Sequence, residues 1–460
     1  MNSSDSKPRA HFATRLGVIA TTVGSAVGLG NIWRFPFEAG SHGGGAFLIV
    51  YLFFIFAIGI PVVCAEFIIG RNTESNVRGA FRKLAPGKPW GLVGYAGLAA
   101  SILILSFYSV VAGWTMEYIF QSVTDFGGTH SVDELHSRFD AFASSDLRPA
   151  MWTVIFLAIN YLILSRGVQK GIERMANVMM PLLFVILIVF CINSLFMSEA
   201  PRGLRFLFHP DFSQLTPSVV LSAMGQAFFS LSLGLGCLIT YSSYFKKDVP
   251  LLRTASTMSI LDTLVAVLAG VIIFPAVFTY GMEPTAGPKL VFETLPAIFS
   301  NIPGTVIWST LFFVLLFLAS LSSTISMSEI SIAYIVDEYG LSRKRATALN
   351  IGLCMFLGVL CALSFGSLSW LKIFGMTLFN LFDYVSSNII LPIGGMVFSI
   401  FVGWVLDRQI VRSELMPVRP SAFSQVAYRG VLFSLRYIAP TCIALVFLYG
   451  LIGDRLLELF

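Results

Sequence analysis

The sequence predicts an all-α integral membrane protein: eleven transmembrane helices, arranged as two inverted five-helix repeats plus one further helix, with helices 1 and 6 broken. Three observations predict it. Of 460 residues, 56% are hydrophobic and 12% charged, and the mean hydropathy is +0.81. Soluble domains carry about 25% charge, so a water-soluble globule of this balance would leave too much apolar surface uncovered. Apolar stretches recur at the length of about 20 residues that a bilayer-spanning helix needs. Two of those stretches are interrupted by the same glycine punctuation. The composition also excludes intrinsic disorder. The net charge of +5 marks loops beside a membrane, not a nucleic-acid partner.

The spans fall near 14–36, 45–69, 91–121, 151–165, 173–197, 218–244, 254–281, 305–336, 346–366, 376–406 and 431–453. Lys7, Arg9 and Arg15 precede the first run as in a signal peptide, but its polar and glycine punctuation is that of a retained span. Long apolar runs without two-residue alternation exclude a β-barrel. The thirty basic residues divide unequally between the two sets of loops. The set that includes the N-terminus holds 22 of them, among them Arg71, Arg78, Lys246, Lys247 and Arg343 to Arg345. The positive-inside rule therefore places the N-terminus in the cytoplasm and, after eleven spans, the C-terminus outside. The acidic segment 122–150 reads as an external loop. The resulting division is a cytoplasmic segment 1–11, a first repeat 12–197, a second repeat 217–407 and an eleventh helix 428–454.

Span 1 reads Gly24-Ser25-Ala26-Val27-Gly28-Leu29-Gly30-Asn31, and span 6 reads Ser230-Leu231-Ser232-Leu233-Gly234-Leu235-Gly236. Paired glycines weaken the helical hydrogen-bond ladder. At membrane depth the freed backbone groups must be satisfied by protein, water or ligand. Broken helices at matching places in two halves mark the substrate and ion site of an inverted-repeat transporter. Five spans separate them, and an odd repeat unit turns the second copy upside down. Gly24 and Gly28 also fit a GxxxG packing motif, and a phosphate loop lacks both its strand and its Gly-Lys-Ser/Thr.

Other polar residues stand inside apolar sequence. Asp262 lies in Ile260-Leu261-Asp262-Thr263-Leu264 of span 7, and an ionisable group there is a functional candidate by default. Glu66 in span 2 is a second buried acid, read as a brace for the broken helices. Ser320-Leu321-Ser322-Ser323-Thr324 in span 8 offers hydroxyls either to ions or to their own helix's carbonyls. The six cysteines form no CxxC pair and read as buried free thiols. The five histidines have no metal-ligand spacing. No nucleophile–base pair is visible, so the chain reads as a non-enzyme without organic cofactor.

The order of these motifs resembles the neurotransmitter:sodium symporter family, bacterial amino-acid branch. The resemblance rests on Ala13-Thr14-Arg15-Leu16-Gly17, Gly24 to Asn31, Trp33-Arg34-Phe35-Pro36, Gly43-Gly44-Gly45-Ala46-Phe47, Gly171-Ile172-Glu173-Arg174 up to Pro181, Gly225-Gln226-Ala227-Phe228-Phe229 and Thr294 to Phe299. It implies a LeuT-type fold. It also implies sodium-coupled symport of a hydrophobic or aromatic L-amino acid by alternating access, in a bacterial inner membrane. An ion channel and a transport-dead sensor on the same fold are the alternatives. Most relatives carry a twelfth helix, so a dimer contact built on one is not expected here, and the oligomeric state stays open.

The resemblance further implies two Na⁺ sites, suited to hard oxygen ligands. The first would use Ala26, Asn31, Ser230 and Asp262 with the substrate carboxylate. The second would use Gly24, Val27, Ala319, Ser322 and Ser323. The substrate pocket would comprise Ala26, Gly28, Leu29, Gly30, Ile104, Tyr108, Phe229, Ser230, Ser232, Leu235, Ser323 and Met327. Gly28 stands where amine-transporting members place an aspartate, which favours a carboxylate-bearing substrate. Asp262 stands where relatives usually have Asn, while Tyr51, Gln226 and Ser230 match the residues that bind chloride in chloride-dependent members. Ala266 replaces the Ser or acid found nearby, so Asp262 reads as a built-in negative charge and transport as chloride-independent. Arg34 with Asp383 would form the outer gate above a Phe229–Tyr108 lid, and Arg9 with Asp337, braced by Tyr244, the inner gate. Phe12 replaces a Trp common at the cytoplasmic latch. Gly171 and Pro181 would let span 5 unwind to admit water.

Overall fold

The computed structural model describes residues 10–124, 132–281, 291–292, 295–300, 304–417, 419 and 421–457. Nine described helices are long and apolar enough to cross a membrane: Gly45–Thr73, Gly91–Thr124, Leu147–Leu164, Val168–Leu195, Leu251–Thr279, Thr305–Tyr339, Arg343–Leu363, Leu378–Val405 and Ala422–Gly450. They are spans 2 to 5 and 7 to 11. Span 1 is a bent pair, Arg15–Ala26 and Gly30–Ser41, meeting at 55°. Span 6 is likewise two helices, Pro217–Ser230 and Cys237–Ser242. Large apolar side chains such as Phe53, Phe56, Val185, Ile192 and Phe356 point outward, as a lipid-facing surface requires.

Local chemistry explains both breaks. Thr14 caps the inner half of span 1, its Oγ1 accepting from the Gly17 amide at 2.9 Å. That half ends at Ala26, and Val27 is extended. The Asn31 side chain closes the gap by accepting from the Gly28 amide at 2.9 Å. In span 6, Ser232, Gly234 and Gly236 adopt φ of +52°, +86° and +81°. Left-handed backbone is free for glycine and costs a serine about 1–3 kcal/mol. Gly234 is also required sterically, because a Cβ there would lie 2.1 Å from the Leu391 carbonyl of span 10. Its amide donates to Glu66 Oε1 at 3.0 Å, so the buried acid of span 2 does brace the broken helix. All six cysteines are free thiols.

Two expectations need correction. The segment 122–150 is not simply a loop, since Val132–Ala143 forms a helix. Span 11 starts at Ala422, not near 428–431, because Ser421 and Ser424 form a capping box there. The helix tolerates Arg436, whose Nε donates to the Gly403 carbonyl at 2.6 Å and whose guanidinium lies 5.2 Å from the Trp404 ring. Span 5, where Gly171 and Pro181 are expected to permit unwinding, is wound here: a wide π-turn at Val168–Glu173 runs directly into the helix Arg174–Leu195. The N-terminal segment is packed around Phe12. Phe12 is 2% exposed and packs edge-on against Tyr241 and Tyr244, each with ring centroids 5.9 Å away. Glu173 holds the adjoining backbone, accepting from the Ala13 amide at 2.8 Å and the Thr14 amide at 3.1 Å.

Candidate functional site

The two breaks face one another across a cavity of about 340 Å³. All twelve residues expected to form the substrate pocket line it. Its floor is the backbone of Ala26 to Gly30 with the Tyr108 hydroxyl, which accepts from the Leu29 amide at 3.1 Å. Its walls are apolar: Ile104, Phe229, Leu235 and Met327, joined by Phe107, Val111 and Phe379, which sequence reasoning had not named. Gly28 faces inward, since a Cβ there would lie 2.7 Å from Ser323 Oγ and 3.0 Å from the Tyr108 hydroxyl. At Gly30 a Cβ would lie 2.9 Å from the Phe229 ring. These glycines leave backbone bare beside the cavity, at the start of the outer half-helix, where the helix dipole favours an anionic group.

Two oxygen clusters flank the break in span 1. On one side, Asp262 is fully buried, with Oδ2 accepting from Ser230 Oγ at 2.6 Å and Oδ1 from Asn31 Nδ2 at 2.8 Å. Tyr51 donates to Ser230 Oγ at 3.3 Å, and Gln226 Nε2 donates to the Gly30 carbonyl at 3.4 Å. Ala266, one turn beyond Asp262, is buried and contributes no polar atom. On the other side, Ser323 Oγ donates to the Val27 carbonyl at 3.0 Å and Ser322 Oγ to the same carbonyl at 3.4 Å. Ser322 Oγ also reaches the Ala319 carbonyl at 2.9 Å. Gly24 lies against Ser322, a Cβ there falling 3.4 Å from the serine Cβ. Thus Asn31, Ser230 and Asp262 meet on one side and Gly24, Val27, Ala319, Ser322 and Ser323 on the other, as uncharged oxygens plus a single carboxylate, while Ala26 lines the cavity beside them.

The outer gate is arranged differently from expectation. Arg34 and Asp383 line the same cavity but form no ion pair. Arg34 Nε lies 3.6 Å from Glu38 Oε1, its Cζ lies 4.2 Å above the Phe229 ring, and Asp383 Oδ1 accepts from Ser387 at 2.9 Å. Glu38 shares Arg34's own helix face, four residues on, and so reaches it without the cavity closing. Arg9 lies outside the described residues, and Asp337 accepts from the Asn76 amide at 2.9 Å. Tyr244 donates to Glu329 Oε1 at 2.6 Å. Glu329 is fully buried and holds Arg343 through two bonds, of 2.9 and 2.5 Å. The signal that singled out Asp262, an acid inside an apolar span, was equally present at Glu329.

Comparisons with known proteins agree with this architecture. A family model described as the sodium:neurotransmitter symporter family matches residues 9–137 and 130–457. An uncharacterized sodium-dependent transporter of Bacillus subtilis is 38% identical, over 98% of this chain and 99% of its own. One from Haemophilus influenzae is 35% identical, over 98% and 100%. The crystal structure of MhsT in complex with L-phenylalanine superposes with a TM-score of 0.87 at 44% identity, covering 96% of this chain and all of MhsT. The chain belongs to the sodium:neurotransmitter symporter family, with its LeuT-type fold.

Proposed function

We propose that this protein carries a hydrophobic or aromatic L-amino acid into the cell together with two Na⁺, by alternating access and without chloride. The observation that carries the reading is the position of the cavity. It opens on bare backbone at the breaks of spans 1 and 6, between two clusters of oxygen atoms, under apolar walls. In this reading the substrate carboxylate lies against Leu29 and Gly30 and the Tyr108 hydroxyl. Phe229 and Ser232 bracket its amine, and its side chain meets Ile104, Leu235 and Met327. The part of the wall that meets the side chain, Ile104, Leu235 and Met327, carries no charge to match a charged side chain, whose unpaired burial costs several kcal/mol. The L-phenylalanine bound by MhsT, which is 44% identical, supports the same class of substrate.

One Na⁺ is held by Ala26, Asn31, Ser230 and Asp262 with the substrate carboxylate. The other is held by Gly24, Val27, Ala319, Ser322 and Ser323. Carbonyls and hydroxyls are the ligands a hard monovalent cation takes, and the Asp262 carboxylate offsets part of the buried positive charge. The protein sits in the bacterial cell membrane with its N-terminus cytoplasmic. Two ions accompanying a zwitterion move about two charges, about 4.6 kcal/mol at 100 mV.

The test is uptake of tritiated L-phenylalanine and L-leucine into proteoliposomes. Uptake is expected with an inward sodium gradient, and more strongly with an inside-negative potential. Equal uptake when choline replaces sodium overturns the coupling. A sodium-dependent substrate current that saturates is expected of a carrier, whereas an ohmic current favours the channel alternative.

A further inference from the structure

The outer cavity contains a carboxylate that the gate as expected from the sequence did not include. Glu38 lies on the outer half of span 1, with its side chain 15% exposed. Its Oε1 is 3.6 Å from Arg34 Nε. Its Oε2 accepts from Ser222 Oγ of span 6 at 2.5 Å and lies 3.4 Å from His42 Nδ1. That same histidine nitrogen is 2.8 Å from the Glu38 carbonyl. Asp383 stands on span 10, on the same cavity, and is bonded to Ser387. One guanidinium therefore has two carboxylates available. One is on its own helix and tethered to span 6; the other belongs to a different wall of the cavity.

The two pairings differ in what they join. Arg34 on Glu38 links residues of a single helix, and leaves span 1 and span 10 unconnected at the cavity mouth. Arg34 on Asp383 would bridge span 1 to span 10 above Phe229. The Ser222 bond limits how far Glu38 can follow the guanidinium, so an Arg34 drawn across to Asp383 gives up part of its attraction to Glu38. We infer that Glu38 is a positioning residue that competes with Asp383 for Arg34, and thereby sets the balance between an open and a sealed outer cavity. This rests on the reading of Arg34 and Asp383 as the outer gate. Glu38 touches neither substrate nor ion. It acts through Arg34, by stabilising the open arrangement and so raising the free energy of sealing.

The competition can be read in substrate trapping. Glu38→Gln keeps the size of the side chain and an acceptor for Ser222, and removes the charge that holds Arg34. In full-length protein in lipid nanodiscs with saturating sodium, tritiated L-phenylalanine is expected to bind about two- to fivefold more tightly to Glu38→Gln, the range a partly exposed ion pair spans. Its dissociation slows by a similar factor. In proteoliposomes KM falls while kcat does not rise. The effect is expected to vanish in an Asp383→Asn background, where Arg34 has no second carboxylate to gain. A merely structural role for Glu38 would persist in that background. Glu38→Ala gives the same direction and serves if the glutamine variant does not fold. Unchanged affinity and dissociation in Glu38→Gln and Glu38→Ala, or an equal shift with and without Asp383, overturns the inference. Wild-type protein that binds no amino acid in a sodium-dependent way overturns the proposed function instead.

Discussion

The carboxylate of Asp262 accepts a hydrogen bond from the Ser230 hydroxyl at 2.6 Å, joining span 7 to the last turn before the break in span 6. Asn31, from just beyond the break in span 1, donates to the same carboxylate. One acid thus ties together the three segments that surround the first oxygen cluster. Tyr51 and Gln226 approach the same place, while Ala266 adds nothing polar. In the proposed function a charge fixed here would do what a recruited anion otherwise does, because cations entering a low-dielectric site need compensation. Wild-type uptake is therefore expected to be the same in chloride and gluconate media. Asp262→Asn with Ala266→Ser is expected to transport poorly in gluconate and to recover at least partly in chloride. Normal transport by Asp262→Asn in gluconate removes Asp262 from this role.

Ser322 and Ser323 both direct hydroxyls at the Val27 carbonyl. Replacing both with alanine removes two hard oxygens that carbon cannot replace. The double variant is expected to stay folded and to lose sodium-dependent binding of L-phenylalanine in a scintillation-proximity assay. Ordinary accumulation of substrate by this variant would place the second ion elsewhere.

Gly28 has no room for a side chain, its missing Cβ lying against Ser323 and Tyr108. Gly28→Ala is expected to weaken amino-acid binding by about 1–3 kcal/mol, the cost of overfilling a packed site. Gly28→Asp is expected to abolish it, through repulsion between two carboxylates. Equal affinity in wild type and Gly28→Asp, measured by equilibrium binding, is the contrary outcome.

Glu329 and Arg343 form a bidentate pair, with the Glu329 side chain fully buried and that of Arg343 22% exposed. Arg343→Met leaves the acid with Tyr244 but without its counter-charge, at a cost of about 3–5 kcal/mol. The melting temperature in detergent is expected to fall. Adding Glu329→Met is expected to restore most of the loss, because two apolar side chains replace a complete pair. A double variant no more stable than the single one shows that the pair acts through more than its charges.

Much of the architecture was legible in the chain because its causes are local. Apolar length fixes a span, and glycine and serine inside it fix a break, whatever the neighbouring helices do. The eleventh helix shows the limit of that reading. Its expected start near 428 left Arg429 at the helix edge, whereas the Ser421–Ser424 capping box starts the helix at Ala422, and the carbonyl of Gly403 and the ring of Trp404, on span 10, hold Arg436 within it. The twelve pocket residues were legible as a set because motif order and helix breaks locate them. Phe107, Val111 and Phe379 were not, being indistinguishable in sequence from any lipid-facing or core apolar residue.

By itself, then, the sequence determined the class of protein, the approximate places of its apolar spans, the two breaks, and the polar atoms available to the site. The tertiary structure alone decided which of those atoms are partners. Arg34 had two eligible carboxylates and takes Glu38, and the buried Glu329 takes both Arg343 and the Tyr244 hydroxyl. Gly234 owes its lack of a side chain to the Leu391 carbonyl, 157 positions away in the chain. The physical reason is that hydrophobicity and backbone preference act within one turn or one span. An ion pair, a hydrogen bond or a steric contact depends on the distance between helices, which no single stretch of sequence encodes.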